Sequence, residues 1–303
     1  MNNKIKIIVT GGAGFIGSNL VDELIKRNFE VHVIDNLATG EKKNINIAAI
    51  FHKADITQLK KIKPIFQGAK FVFHLAALPR VQVSIENPNL TNEVNVNGTL
   101  NVLIAARDAK VKRVIYSASS SAYGNQKVFP LKESFLASPL SPYGLQKYIG
   151  ELYCGLFSKI YGLETISLRY FNVYGPRLGT MGSYPLVIGK FLTQKKVGEP
   201  LTITGDGQQS RDFTHVYDVV RANLLASQSR QVGHGEVINI GGGQDHSVNQ
   251  VAKLIGGAVK FIEPRIEPKR TLADISLAKK LLGWQPSIKL EEGIKELKKF
   301  YLV

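Results

Sequence analysis

Two groups of residues in this 303-residue chain could do chemistry together. Near the start lies Thr10-Gly11-Gly12-Ala13-Gly14-Phe15-Ile16-Gly17, which satisfies G-x-G-x-x-G through Gly12, Gly14 and Gly17. Far downstream stand Ser119 and then Tyr143 and Lys147, four residues apart. Glycines at the first spacing allow a tight turn, close approach of backbone to a pyrophosphate and close helix packing, and a helix N-terminus adds amides and the positive end of its dipole. A tyrosine with an ordinary pKa of about 10 is a poor base at neutral pH unless a cation favours its phenolate. Lys147, on the same face one helical turn later, can provide that charge and can also hold ribose hydroxyls. Ser119 would present its hydroxyl to the same reacting centre, although Ser119-Ser120-Ser121 taken alone also reads as a polar loop. Either motif alone is common. Together, in this order, they point to hydride transfer coupled to proton transfer.

Such residues need a scaffold, and the chain supplies its pattern. Apolar runs without alternation lie near 4–10, 30–35, 48–52, 70–75, 112–117 and 164–170, with helix-like segments near 15–27, 57–67, 89–109 and 142–161 between them. This alternation predicts an α/β fold, a doubly wound parallel sheet of the Rossmann type whose strands are covered on both faces. The glycine turn then joins the first strand to the first helix. Asp35 ends the second strand, where an acid would accept ribose hydroxyls and repel a 2′-phosphate, which favours NAD over NADP; a turn cap from Asp35 or Asn36 is the other reading. Asp55-Ile56 and Leu75-Ala76-Ala77 follow the third and fourth strands, where a cofactor would pass, although small side chains also suit simple packing.

After Arg169-Tyr170-Phe171-Asn172 the alternation stops and Gly175, Pro176, Gly179, Gly182 and Pro185 follow. The expected division is a main domain of 1–172 plus about 213–240, where a helix and a strand return to the sheet, and a smaller substrate domain of 173–212 plus 241–303. A net charge of +15 is spread over scattered lysines, as in Lys60-Lys61-Ile62-Lys63, so solvated helix faces are expected and neither nucleic acid nor a membrane is. No apolar run approaches the ~20 residues of a membrane span. Met1 to Thr10 runs straight into the glycine turn and reads as a first buried strand. The single cysteine, Cys154, excludes an internal disulfide and fits a reducing cytoplasm. No metal site is expected.

The chain closely resembles the extended short-chain dehydrogenase/reductases that act on sugar nucleotides, the NAD-dependent epimerase/dehydratase family. The resemblance spans nearly the whole chain: Thr10 to Gly17, Asp35-Asn36-Leu37, Asp55-Ile56, His74 to Ala77, Asn95 to Thr99, Ser117 to Gly124, Tyr143 to Lys147, Arg169 to Arg177, Gly205 to Asp212, and Ala273-Asp274 running into Leu282-Gly283-Trp284. It implies a Rossmann domain with a smaller α/β C-terminal substrate domain, NAD as cofactor, a UDP-sugar substrate, and a homodimer built from two helices of each subunit. It also implies catalytic roles for Ser119, Tyr143 and Lys147. Cofactor contacts are implied at Gly11, Gly14, Phe15, Ile16, Gly17, Asp35, Asn36, Asp55, Ile56, Leu75, Ala76, Ala77, Asn95, Ser117, Tyr143, Lys147 and Tyr170. Family dehydratases and decarboxylases resemble carboxylate-bearing motifs after the active-site Ser/Thr, whereas this chain has Ser120 and Ser121. That similarity implies a 4-epimerase working through a transient 4-keto sugar.

Substrate contacts are implied at Ser119, Ser120, Ser121, Tyr143, Asn172 and Arg211, with Arg265 near a second diphosphate-binding arginine and Arg270 as its alternative. Thr271 falls where related epimerases limit the room beside the sugar's 2-substituent, and its small size implies UDP-GlcNAc/UDP-GalNAc interconversion, with UDP-Glc/UDP-Gal as well. A UDP-glucuronate 4-epimerase and a sugar-nucleotide 4-keto reductase or dehydratase of the same family are the alternatives.

Overall fold

The computed structural model describes residues 4–179, 186–264 and 268–303. Seven strands form the central sheet: β1 (Lys6–Thr10), β2 (Glu30–Asp35), β3 (Ile50–Lys53), β4 (Phe71–His74), β5 (Arg113–Ser119), β6 (Glu164–Tyr170) and β7 (His234–Ile240). Their spatial order is β7-β6-β5-β4-β1-β2-β3, and every pairing is parallel. This is the doubly wound Rossmann-type α/β fold, with its direction reversing between β1 and β4 and the ligand crevice at the carboxyl ends of those strands. Successive side chains of a strand face opposite layers. Ile7 and Val9 therefore join one apolar core with Leu20, Leu24 and Val219, while Ile8 joins the other with Val72, Val114 and Leu103.

The helices that hold the crevice are α1 (Phe15–Lys26), α2 (Val81–Glu86), α3 (Gly98–Asp108) and α4 (Pro142–Tyr161). Ser141 caps α4, accepting from the Gly144 amide at 3.2 Å, and Gly162 ends it in the left-handed conformation. The helix expected at 57–67 is broken into Leu59–Ile62 and a tighter turn at Lys63–Phe66, because Pro64 has no amide hydrogen and its ring clashes with the preceding turn. The helix expected at 89–109 is likewise divided, into Pro88–Asn92, a π-type turn over Glu93–Asn97, and α3.

A third core, containing Tyr174, Phe191, Leu201, Ile203, Val251, Ile294 and Leu297, forms the smaller lobe. One part of the expected division differs. The expected division puts all of 241–303 in this lobe, but Ala278, Leu282 and Trp284 pack into the first core beside Ile238 and Ile240, and the Trp284 indole donates to the Asp218 carbonyl at 2.9 Å. The short helix Ser276–Leu282 is too small to bury its own apolar face, and β7 with the helix Val216–Gln228 offers the surface it needs.

Candidate active site

The glycine turn is built to let three pieces of backbone meet. Gly11 has φ +73°, and a Cβ there would lie 2.6 Å from the Ala76 nitrogen; a Cβ on Gly17 would lie 2.1 Å from the Gly11 carbonyl oxygen. The end of β4 is fastened to the turn by Leu75 and Ala76 amides donating to the Thr10 carbonyl and hydroxyl at 3.1 and 3.2 Å. Helix α1 follows Gly14 with no side-chain cap and no acid in its first turn, so the amides of Phe15, Ile16 and Gly17 can meet an anion without competition. The Asp35 carboxylate accepts from Ala13 and Leu37 amides at 3.0 and 2.8 Å and keeps lone pairs for ribose hydroxyls. Asn36 donates to Asp55 at 2.7 Å, closing the far end beside buried Ile56, whose side chain fills the space a Cβ on Gly98 would need. These donors and acceptors suit a dinucleotide with free 2′ and 3′ hydroxyls.

Three residues expected at the cofactor have other side-chain partners. Asn95 is buried, exchanges hydrogen bonds with the backbone of Leu78 at 2.8 and 3.2 Å and donates to Gln146 at 2.9 Å, so its amide fixes the loop after β4 to α4. The hydroxyls of Ser117 and Tyr170 bond each other at 3.1 Å, and Tyr170 also meets Asn223. They form a buried polar layer beneath the crevice. Behind it, His74 bridges Thr10 at 2.7 Å and Thr99 at 3.0 Å, and burial depresses its pKa to about 3, so it stays neutral.

Ser119, Tyr143 and Lys147 come together where β5 ends against α4. Burial pushes the Tyr143 phenol above its ordinary pKa, and the Ser119 hydroxyl beside it opposes that rise. Ser121 lies beside Ser119, with hydroxyls 3.1 Å apart, in the tight turn Ser120–Tyr123. Lys147 is buried and donates to the Ser117 carbonyl at 2.7 Å; burial brings its pKa down to about 8 against the opposing charge of Glu151. Glu151 is itself doubly hydrogen-bonded to Arg169 at 2.8 and 2.6 Å. A group absent from the sequence reading is the half-buried Arg80, whose charge also opposes the rise in the Tyr143 pKa. It follows directly on Leu78-Pro79, in the loop between β4 and α2.

Toward the smaller lobe, Asn172 donates to the Asp212 carbonyl at 3.0 Å and to the Thr271 hydroxyl at 3.2 Å, so Asn172 and Thr271 are neighbours. Arg211 donates to the Ser210 carbonyl at 2.9 Å. Arg270 is held in a two-pronged ion pair with Asp245 at 2.8 and 3.0 Å, which makes it a clamp between strands rather than an idle cation. Arg265 lies outside the described residues, as do Gly182 and Pro185. Asp212, buried and pushed up to about 7 by desolvation, accepts from the amides of Gly242, Gly243 and Ala273 and pins this side of the crevice.

The model of the NAD dependent epimerase/dehydratase family matches residues 7–241. The chain belongs to this family. Among solved structures, it is 40% identical to a UDP-glucose 4-epimerase of Thermotoga maritima with UDP-glucose, at a TM-score of 0.94 over 98% of this chain and 99% of that one. It is 37% identical, again with a TM-score of 0.94, to a UDP-N-acetylglucosamine 4-epimerase of Methanobrevibacter ruminantium in complex with UDP-N-acetylmuramic acid, covering 99% of this chain and 98% of that one. A UDP-glucuronic acid 4-epimerase of Bacillus cereus with UDP-glucuronic acid and NAD is 33% identical, with a TM-score of 0.90 over 98% and 99% of the two chains. NAD is the cofactor of this epimerase/dehydratase family, and the uncapped α1 and the Asp35 carboxylate fit it.

Proposed function

We propose that the chain is an NAD-dependent 4-epimerase of UDP-hexoses, acting on UDP-GlcNAc/UDP-GalNAc and on UDP-Glc/UDP-Gal. The observation that carries this reading is the catalytic corner itself: Ser119 at the end of β5, its hydroxyl opposing the rise that burial gives the Tyr143 pKa, with Lys147 one turn along α4, followed by Ser120 and Ser121 with no carboxylate in that turn to drive elimination or decarboxylation. NAD, when bound, accepts a hydride from C4 of the sugar and returns it to the other face. Tyr143 takes the proton from O4 as that hydride leaves and gives it back when the hydride returns. Ser119 bridges O4 and the phenol. Lys147 holds ribose hydroxyls and favours the phenolate while it is charged. Arg211 and Asn172 face the substrate diphosphate, for which a guanidinium has a matching two-pronged geometry. Thr271, small and next to Asn172, leaves room for a 2-acetamido group.

The test is incubation of the purified protein with a panel of UDP-sugars, without added cofactor, followed by separation of the C4 epimers. Comparable turnover of both pairs is expected. Turnover of UDP-Glc/UDP-Gal alone would remove the N-acetyl assignment, and turnover confined to UDP-glucuronate would replace the substrate altogether.

The chain is further proposed to work as a homodimer in the cytoplasm. On α4, one face buries Lys147, Gly150, Glu151 and Cys154, while Leu145, Leu152, Leu156 and Ile160 stand exposed along another. An apolar stripe of this length along a helix with an already packed opposite face suits a second copy. The double variant Leu152→Glu/Leu156→Glu should sediment as a monomer where the parent is a dimer. A monomeric parent in light scattering would sink the idea.

A further inference from the structure

We propose that Ser84 is a positioning residue for Tyr143: its hydroxyl, brought in by α2, takes the Tyr143 amide hydrogen and sets where the phenol stands in the crevice. Its effect on turnover rests on the epimerase reading above, whereas the anchoring itself does not.

The need for such a partner follows from how α4 begins. The first amides of a helix have no carbonyl one turn earlier to bond. In α4 the first helical residue is Pro142, which has no amide hydrogen and so makes no demand. The Gly144 amide is met by the Ser141 hydroxyl at 3.2 Å, and the Leu145 amide by the Ser141 carbonyl at 3.1 Å. The local cap thus serves Gly144 and Leu145 and leaves out the amide of Tyr143. Its acceptor comes from 59 residues earlier in the chain, where the Ser84 hydroxyl stands 3.0 Å away. Among the described residues no other acceptor meets that amide. Ser84 is wholly buried, and it donates its own hydrogen to the Val81 carbonyl at 2.6 Å, so the oxygen is left to act as acceptor toward α4. The Ser84 amide donates to the Arg80 carbonyl at 3.1 Å, which fixes the hydroxyl on backbone already bonded within its own turn.

The neighbours of Tyr143 are held in other ways. Gly144 lies so close to the turn Ser120–Tyr123 that a Cβ would stand 2.6 Å from the Ser121 carbonyl oxygen. Gln146 accepts from Asn95 at 2.9 Å and donates to Thr91 at 3.0 Å. The first contact limits how near α4 comes to the end of β5, and the second ties the helix three residues further on. Neither bonds the peptide that carries the catalytic side chain. Ser84 does, and a shift of that peptide passes directly to the phenol because the side chain leaves from the next atom. Misplacing a reacting group by about 1 Å can cost on the order of 10²-fold in rate.

The experiment is a double-mutant cycle on kcat in the NAD-carrying enzyme, with the parent, Ser84→Ala, Tyr143→Phe and the double variant. Ser84→Ala should lower kcat by about 10- to 10²-fold, with KM within about twofold of the parent and NAD retained. In the Tyr143→Phe background the same substitution should change the residual rate by less than about twofold, because the group it acts through is already gone. Ser84→Cys, a weaker acceptor of nearly the same shape, should fall between serine and alanine, and it carries the cycle if the alanine variant does not fold. Equal losses in the two backgrounds would overturn the proposal, since they would mark a merely structural role, as would a kcat for Ser84→Ala equal to that of the parent. Hydrogen exchange of the Tyr143 amide, followed by NMR, should be faster by about tenfold or more in Ser84→Ala. If the parent turns over no UDP-sugar, the epimerase reading fails, and the exchange rate still decides the anchor: an unchanged rate in Ser84→Ala would refute it.

Discussion

Tyr143→Phe is expected to lower kcat by about 10²- to 10⁴-fold, the usual range for a positioned proton-transfer group, while leaving NAD bound and the fold intact. The substitution removes one hydroxyl and nothing that supports the element. The Tyr143 amide still donates to Ser84, and the Ser141 cap and the Asn95–Gln146 bond still fix the start of α4. The dinucleotide cradle uses the turn after β1 and Asp35, none of which touches the phenol. The effect should therefore fall on kcat more than on KM, since the lost contact matters as the O4 proton moves. Burial raises the pKa of the phenol, and the Ser119 hydroxyl and Arg80 oppose that rise. Steady-state kinetics with chromatographic assay of the cofactor released on denaturation checks both halves. A loss below tenfold with NAD retained would refute Tyr143 as the proton carrier.

The elements that position this residue were legible because their cause is local. Unbroken apolar strands are the mark of a sheet covered on both faces, and Ser141-Pro142 marks the start of a helix through the cap and the fixed φ of proline. The strand order with β1 at its switch point places Gly11 and Ala76 against each other, as their small side chains imply. What was not legible depends on partners remote in sequence. Asn95 sits in a motif beside the cofactor, but the partners of its amide, Leu78 and Gln146, are set by the docking of α4. Residues 276–284 follow the smaller lobe in the chain, yet their apolar face fits the β7 side of the main core. Ser84 carried no motif, and its bond to the Tyr143 amide depends on α2 meeting the first turn of α4. Arg270, by sequence an alternative diphosphate-binding arginine, is tied down by Asp245, 25 residues away.

The same dependence on remote partners makes Glu151 the residue whose loss should disturb the most. Glu151→Gln is expected to destabilise the protein by about 3–5 kcal/mol, the range for removing one member of a buried ion pair. Both members are shielded from solvent, with side-chain exposures of 2% for Glu151 and 4% for Arg169. The Arg169 Nη1 already has no hydrogen-bond partner among the described residues, its guanidinium lies 4.5 Å from the Tyr123 ring centre, and the other carboxylate within reach of its charge, Glu133, makes no hydrogen bond to it. Glutamine keeps the shape and one acceptor but leaves Arg169 charged and unneutralised. A second consequence reaches the active site, because Glu151 is one helical turn beyond Lys147 and its charge opposes the desolvation that brings that lysine to about 8. Removing the negative charge favours the neutral amine, so the pKa of Lys147 falls further and the alkaline limb of kcat moves to lower pH. Urea denaturation of Glu151→Gln combined with its pH profile separates a damaged core from a discharged lysine. A destabilised variant whose alkaline limb stays at the parental pH would show that Lys147 keeps its charge without Glu151.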